Sequence, residues 1–457
     1  MNKLEIGYTT PMTLSEIQRV LAELETSPTR SLGQNFLHDQ NLAHKIVSLL
    51  DIQPGDHIVE IGPGLGALTE VLTESKNRLT LIEKDDRLIS HLRAKFESET
   101  TRIFHMDALE FDLRKLWGHG PVKIIGNLPY YISTPLIAKF ASALSPASIL
   151  VLTLQLELAE RLGAASGTRE YGAMTVCVGR RWDVKFERKL AASVFYPRPK
   201  VDSAVITLRR RLHGQVRPLD DVQFESLVRR GFSERRKQLR KMLPEFKPDW
   251  DNVTAHLGVP PTVRAEELSL AQWECLAAMA CPATAQKPTE MFDVVDAGDR
   301  VLRAETRENV HVNNLLHRAV HMLLFNKNGE LFLQKRSLWK DRNPSLWDSS
   351  AAGHVDSGED YATAARRELE EELGIASPAL VNIGRLTPNE SNGWEFIEIY
   401  RGEHDGPFHP APMELETGAF FPMDQIREWA RHSPADFSPV FLACLSCLQN
   451  ASPSVSH

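Results

Sequence analysis

Five short apolar runs lie between His57 and Leu154: "HIVEI" (57–61), "RLTLIE" (78–83), "RIFHMDA" (102–108), "VKIIGN" (122–127) and "SILVLTL" (148–154), with helical patterns between most of them. Runs this short and this continuously apolar suit strands covered on both faces. Strands that alternate with helices cannot pair through tight hairpins, so the pattern predicts a parallel, doubly wound sheet.

The first run leads into "VEIGPGLGALTE". Gly62, Gly64 and Gly66 let the backbone turn tightly and approach a ligand at the start of the next helix. Glu83 ends the second run, about 20 residues on, where a carboxylate can accept hydrogen bonds from ribose hydroxyls. Asp107 ends the third and is placed to meet an adenine edge. Glu60, just before the glycines, is placed to face the positive end of a ligand. Dinucleotide enzymes and methyltransferases share such a glycine pattern, so both stay open on this evidence.

"NLPY" (127–130) closes the fourth run. An ordinary turn would prefer Gly, Asp or Ser there. At the carboxyl end of a strand, Asn127 can offer its amide oxygen to an exocyclic amine. Pro129 interrupts regular pairing and leaves the Leu128 carbonyl as a second acceptor. Tyr130 offers a flat face. The set suits an amino group on a planar base, its lone pair aimed at a methyl donor, with alignment supplying most of the catalysis.

The chain has 457 residues, which predicts two or three domains, and its 42% hydrophobic and 25% charged content fits a soluble globular protein. It has no apolar run long enough to span a bilayer and no signal-peptide pattern, and its five cysteines suit a reducing cytosol. Cys444 and Cys447 read as one buried helix face. The net charge of −7 is uneven. Through Cys281 there are 37 basic and 34 acidic residues, and after it 16 and 26. Residues 151–250 alone carry 21 basic and 12 acidic residues, which points to a polyanion partner for one part of the chain.

Thr13 to Glu25 reads as an amphipathic helix with Thr13 and Glu16 spaced as a capping box. From about 220 to 280 the period is helical throughout, including "FESLVRRGFSERRKQLRKML". "CPATAQKPTE" (281–290) reads as a linker, and a new globular unit follows, with strands "AVHMLLFN" and "ELFLQKR" and a helix from about 360 to 373.

These segments resemble the ribosomal RNA adenine dimethylases over about residues 28–280. The motifs are "SLGQNFLHD" (31–39), "VEIGPGLGALTE", "NLPYYIST", "VFYPRPKVDSAV" (194–205), "FSERRKQLRKML" (232–243) and "RAEELSLAQW" (264–273). The resemblance implies S-adenosylmethionine as methyl donor. The acceptors would be two neighbouring adenines, dimethylated at N6, in the hairpin near the 3′ end of small-subunit rRNA. It implies that Asn35 and Leu37 contact the methionine end of the donor beside Gly62, that Glu83 holds the ribose and Asp107 the adenine amine. Asn127 would bridge donor and acceptor, and Tyr130 and Phe195 would sandwich the target base. Lys200 and a basic helix carrying Arg229, Arg230, Arg235, Arg236, Lys237, Arg240 and Lys241 would contact rRNA phosphates in the immature small subunit. Where the family shows a basic residue after Gln in its "Q-K-E" segment, this chain has Leu156.

"GHVDSGEDYATAARRELEEELGI" (353–375) fits the Nudix pattern position for position. Glu368, Glu371 and Glu372 fall within about one helical turn, and like charges so close call for a cation. Hard oxygen ligands, with Gly353 among them, select Mg²⁺ or Mn²⁺, which would neutralise a diphosphate and activate water. Glu359 and Glu368 are the catalytic candidates of this box. Glu359 reads as supporting the loop or a metal-bound water, and Arg367 as holding the glutamates. Lys335 and Arg336 read equally as phosphate contacts or as surface. The flanking sequence is similar to the Nudix branch near isopentenyl-diphosphate isomerase, but Ala351 and Ala352 stand where those isomerases carry a catalytic cysteine. This favours hydrolysis. His311, His317 and His321 are not spaced as metal ligands and read as ordinary histidines.

The expected architecture is α/β. A Rossmann-like methyltransferase sheet (28–215) follows an N-terminal helical extension (1–27) and precedes a small all-helical rRNA-binding subdomain (216–280). The linker at 281–290 leads to an α/β/α Nudix domain (291–457). The expected protein is a cytosolic monomer. Rival readings are a DNA adenine methyltransferase, or an assembly factor for the small subunit whose binding matters more than methylation. The Nudix part would then sense a diphosphate or be prenyl-diphosphate related.

Overall fold

The computed structural model describes residues 12–211, 216–217, 219–280, 289–337, 340, 342–376, 378–410 and 414–450. Residues 1–11 of the expected extension and 281–288 of the expected linker lie outside them. The chain divides after Ala280 into two compact units.

The first unit is built on seven strands: β1 (His57–Ile61), β2 (Arg78–Glu83), β3 (Thr101–His105), β4 (Val122–Asn127), β5 (Ala147–Gln155), β6 (Trp182–Leu190) and β7 (Ser203–Arg210). Their order in the sheet is β3-β2-β1-β4-β5-β7-β6. The first five are parallel, and β7 runs antiparallel to both β5 and β6. Ile58, Leu79, Leu81, Ile125 and Val151 enter one core cluster. Their neighbours Val59, Ile82, Ile124, Leu150 and Leu152 enter another. Alternate residues thus feed opposite faces, and two covered faces give the continuous apolar runs of the sequence.

β1, β2 and β4 have the limits expected of them, β5 is one residue longer at each end, and β3 stops at His105, so Asp107 lies beyond its strand. The N-terminal helix spans Leu14–Glu23. Only half of the capping box forms: Glu16 N–H donates to Thr13 Oγ1 at 3.3 Å, while the Glu16 carboxylate binds Arg19. Leu156 starts the helix Leu156–Leu162 and packs partly buried against the second core cluster. In this chain that position serves packing.

The basic segment expected as one helix is broken. The helix Asp221–Gly231 ends, turns occupy 232–237, and a short helix resumes at Leu239–Met242. Gly231, the last residue of the first of these helices, has a steric reason to be glycine. A Cβ on it would stand 2.4 Å from the Trp273 ring. Trp273 is fully buried in the helix Leu270–Ala280, so the glycine is what lets the two segments meet.

The second unit begins with a hairpin of β8 (Met291–Val295) and β9 (Val301–Thr306). Its main sheet contains β10 (His317–Phe325), β11 (Leu331–Arg336), β12 (Trp347–Asp348), β13 (Ala351–His354), β14 (Val381–Leu386), β15 (Glu395–Glu403) and β16 (Leu415–Phe421). β10 pairs in parallel with β15 from His317↔Glu395 to Phe325↔Glu403, and antiparallel with β13, Ala319 opposite His354. The helix Tyr361–Leu373 packs over β10 and β13. It is capped by Asp360, whose side chain accepts from Thr363 N–H, and ends at Gly374 in the left-handed conformation. Cys444 and Cys447 lie on the helix Pro439–Asn450. No helix among the described residues is long and apolar enough to cross a membrane.

Overpacking a tight contact of this kind costs about 1–3 kcal/mol. Gly231→Ala therefore brings an earlier unfolding transition in urea, followed by near-ultraviolet circular dichroism. An unchanged midpoint would mean that Trp273 can move aside.

Candidate active sites

In the first unit a cavity opens at the carboxyl ends of β1, β2 and β4, the rim where such sheets bind ligands. Its lining brings together Asn35, Leu37, Gly62, Glu83, Asp107, Asn127 and Phe195. Gly66 sits at φ +91° before the helix Ala67–Thr73, and a Cβ there would lie 2.3 Å from the Phe96 ring. Glycine is thus required both by conformation and by space. Glu83 accepts from Gly64 N–H at 3.1 Å and from the Lys84 and Asp85 N–H groups at 2.8 Å each. Burial still lifts its carboxyl above the ordinary range. Glu60, beneath the glycines, is pushed by burial to about 8, although Thr69 Oγ1 donates to it at 2.6 Å. Asp107 accepts from Lys84 Nζ at 2.7 Å and from Leu109 N–H at 2.9 Å. Burial works upward on it, but these donors hold it below its usual value.

Asn127 Nδ2 donates to the Asn35 carbonyl at 2.8 Å. Leu128 is buried, and its N–H donates to the Thr153 carbonyl at 3.1 Å. Phe195 stands in the cavity wall. A short antiparallel ribbon pairs it with Leu37, and Tyr196 with Phe36. Tyr130 is half-buried and is not among the residues lining this cavity, its hydroxyl 2.6 Å from Ser203 Oγ on β7. Its neighbour Tyr131, 55% exposed, lines the cavity mouth. The sequence reading passed over Tyr131, although a second aromatic directly after "NLPY" was the available signal.

Lys200 is exposed in the loop after Phe195. Of the seven cations expected on one basic helix, Arg229 pairs with Glu225 at 3.2 Å and Arg230 with Glu245 at 2.6 Å. Arg235 donates to the Tyr171 carbonyl at 3.0 Å. Arg236, Lys237, Arg240 and Lys241 are exposed.

In the second unit Glu368, Glu371, Glu372 and Gly353 line one cavity. Gly353 on β13 has a steric reason to be glycine, because a Cβ would lie 1.9 Å from Glu368 Cδ. Arg367 organises the acids: Nη1 donates to Glu368 at 2.8 Å and to Glu371 at 3.1 Å, and Nη2 to Glu359 at 3.0 Å and to the His354 carbonyl at 2.9 Å. Glu359 also accepts from Asp356 N–H at 3.2 Å, and it does not line the cavity. Glu372 accepts from Ala352 N–H at 3.0 Å, with Lys340 Nζ 3.6 Å away. Burial, reinforced by the neighbouring Glu372 charge, pushes Glu368 to about 8.

Lys335 is neither a cavity cation nor a surface one: half-buried, it pairs with the half-buried Glu416 at 3.1 Å. Arg336 lines the cavity and is held by Asp348 at 3.0 Å. Ala352 lines the cavity too, and no cysteine of the described residues does. The histidines depart from expectation. His321 is buried against Ser349 at 2.8 Å, but His311 and His317 converge with His354 and Glu395, their ligand-type atoms all within 4.8 Å of one another.

The family model for ribosomal RNA adenine dimethylases matches residues 26–280, and that for the NUDIX domain matches residues 315–441. The ribosomal RNA small subunit methyltransferase A of Prosthecochloris aestuarii is 42% identical over 223 residues, 48% of this chain and 83% of that protein. The protein of the same name from Geobacillus kaustophilus is 37% identical over 278 residues, 58% of this chain and 95% of that protein. A solved dimethyladenosine transferase from Plasmodium falciparum is 24% identical over 52% of this chain and 94% of that chain, with a TM-score of 0.44. The family match takes in the glycine turn, the "NLPY" rim and the Phe195 loop. The chain therefore belongs to the ribosomal RNA adenine dimethylase family and carries a fused NUDIX domain behind that part.

Proposed function

We propose that the first unit dimethylates N6 of two adjacent adenines in the 3′-terminal hairpin of small-subunit rRNA, within the immature 30S particle, using S-adenosylmethionine. The second unit hydrolyses a diphosphate-containing small molecule with Mg²⁺ or Mn²⁺.

One contact carries the first reading. Asn127 spends its Nδ2 on the Asn35 carbonyl, which leaves its Oδ1 to accept a hydrogen bond. That oxygen and the Leu128 carbonyl accept the two N–H bonds of the target amine and turn its lone pair toward the methyl donor. Holding that geometry removes most of the entropic barrier. The amine sheds a proton after transfer, so no strong base is required. Phe195 and Tyr130 grip the base, and the tether of Tyr130 to Ser203 fixes its ring. The cavity residues fit the cofactor: Glu83 holds ribose hydroxyls, Asp107 an adenine amine, and Asn35 and Leu37 the methionine end. The bound cofactor supplies an electrophilic methyl group. The exposed cations Lys200, Arg236, Lys237, Arg240 and Lys241 bind rRNA phosphates.

The glutamate cluster fits a hard divalent ion. Its donors are oxygens, and a buried carboxyl lifted to about 8 beside a second one marks a pocket short of positive charge. An ion held by Glu368, Glu371, Glu372 and the Gly353 carbonyl would offset diphosphate charge and acidify a water. Arg367 keeps the acids converged, and Glu359 braces Arg367. With Ala352 in the wall in place of a thiol, hydrolysis is favoured over isomerisation.

Three outcomes follow. Asn127→Ala lowers methyl transfer to immature 30S particles by roughly 100-fold, with particle binding unchanged; near-normal transfer would remove Asn127 from the chemistry. Against a panel of nucleoside and prenyl diphosphates with Mg²⁺, wild type releases phosphate from at least one class, and Glu371→Gln slows that release at least about 10-fold. Equal rates would place hydrolysis elsewhere. The third concerns pH. Between 4.5 and about 8 the folded, ion-free chain keeps a proton on Glu368 that the unfolded chain has released. Stability contributed by that proton is complete below 4.5 and lost as pH rises through about 8. Mg²⁺ competes with the proton, so its affinity climbs over the same window. Thermal melts in chelator and Mg²⁺ titrations read the two slopes, and Glu368→Gln flattens the first.

A further inference from the structure

We propose that Tyr131 is a further cofactor-binding residue of the first unit: its ring closes the open side of the donor cavity over the adenosine part of S-adenosylmethionine and sets how readily the cofactor exchanges. This rests on the methyl-donor reading of that cavity.

Tyr131 directly follows "NLPY" and lies in the short helical turn Tyr130–Ile132. It lines the cavity while 55% exposed, whereas Leu37, Leu65 and Phe195 of the same lining are buried. A single exposed aromatic is ordinary on a protein surface. What sets Tyr131 apart is what its ring spans. On one side is Gly33, with φ at +64°. A Cβ on Gly33 would lie 3.6 Å from Tyr131 Cδ1 and 3.3 Å from Pro129 Cβ, so the bare glycine backbone lets the ring come close. On the other side the Tyr131 phenol is within electrostatic reach of the Lys84 ammonium, which donates to Asp107 at 2.7 Å.

Those two sides belong to different ends of the cofactor. Gly33 stands two residues before Asn35, whose carbonyl accepts from Asn127 at the methionine end. Lys84 follows Glu83 and holds Asp107, the carboxylates read as meeting the ribose and the adenine. An adenine edge bound at Asp107 would rest against Ile82, Ala108 and Leu136, apolar side chains of one core cluster that also line the cavity. Its other face still needs a cover. A tyrosine at the mouth supplies a flat apolar body there and leaves its hydroxyl in water.

The chemistry gives such a cover a task. Placing two methyl groups on each of two adenines requires spent S-adenosylhomocysteine to leave and fresh donor to enter between transfers. An exposed side chain can change rotamer quickly enough to let it pass, as a buried wall residue such as Leu37 cannot.

The test uses the full chain. By titration calorimetry, Tyr131→Ala binds S-adenosylhomocysteine about 10-fold more weakly than wild type, and Tyr131→Phe, which keeps the ring, restores most of that affinity. In methyl transfer to immature 30S particles, Tyr131→Ala raises the KM for S-adenosylmethionine by the same factor and spares both kcat and the KM for particles. The ring is 55% exposed, so its truncation removes little packing, and an unchanged thermal midpoint separates lost binding from lost fold. Unchanged cofactor affinity in Tyr131→Ala overturns the proposal. A raised KM for particles alone overturns it too, and assigns the ring to the rRNA. No binding of S-adenosylhomocysteine by wild type would overturn the methyl-donor reading itself, and the role of Tyr131 with it.

Discussion

Register between neighbouring strands is the constraint on which both units depend. Along a strand, side chains alternate between faces, so a slip of one residue moves every group to the wrong side. In the first unit Asn127 is paired with Thr153, and Leu128 then donates its N–H to the Thr153 carbonyl. That pairing sets where the Asn127 amide and the Leu128 carbonyl stand at the rim. In the second unit the nine-residue parallel ladder of β10 and β15 does the same for His317 and Glu395. Apolar residues enforce both registers: Ile124 and Leu150 lie directly opposite each other, as do Met322 and Tyr400. A slip would expose whole rows of buried residues, each worth about 1.5–3 kcal/mol. Core burial thus positions polar groups that contribute nothing to it.

Much of this was legible because it is local. The limits of β1, β2 and β4, the glycine turn before Ala67, and the helix Tyr361–Leu373 all follow from residues within a few positions of one another. Strand-end positions singled out Glu83 and Asp107, and Asn35 came from motif resemblance; the glycine spacing alone left dinucleotide enzymes open. What escaped depends on partners far away. Gly231 has no local reason to be glycine, because the residue that needs its space, Trp273, lies 42 positions on. Tyr130 is tethered by Ser203, and Lys335 is claimed by Glu416, long-range pairings that no period reveals. The histidine cluster draws on positions 311, 317, 354 and 395, so its members share no spacing along the chain. Only the β13-β10-β15 order makes them neighbours.

Arg367 shows how the acidic cavity is stable before any ion arrives. Four carboxylates stand near it: Glu359, Glu368 and Glu371 within hydrogen-bond distance, and Asp356 at 3.9 Å. A guanidinium has five donors in a rigid fork, so one side chain can hold several acids at once, as an ammonium cannot. Burial, reinforced by the Glu372 charge beside it, still pushes the Glu368 carboxyl up to about 8. The remaining strain is electrostatic and directional, and it is relieved by positive charge placed between those two residues. Lysine in place of Arg367 would free Glu359 or Glu371 to drift.

The same reasoning separates two kinds of cation on the first unit's basic surface. Arg229 and Arg230 have carboxylate partners, and Arg235 is spent on a backbone carbonyl. Exposed ion pairs of that sort are worth about 0–1 kcal/mol, so a phosphate bound there would displace them at little cost but would leave Glu225 and Glu245 facing it. Arg236, Lys237, Arg240 and Lys241 stand exposed in the turn and short helix that follow Gly231. A phosphate neutralised there would release counterions without freeing an acid. The basic run is therefore partly paired, at Arg229, Arg230 and Arg235, and partly left open, from Arg236 to Lys241.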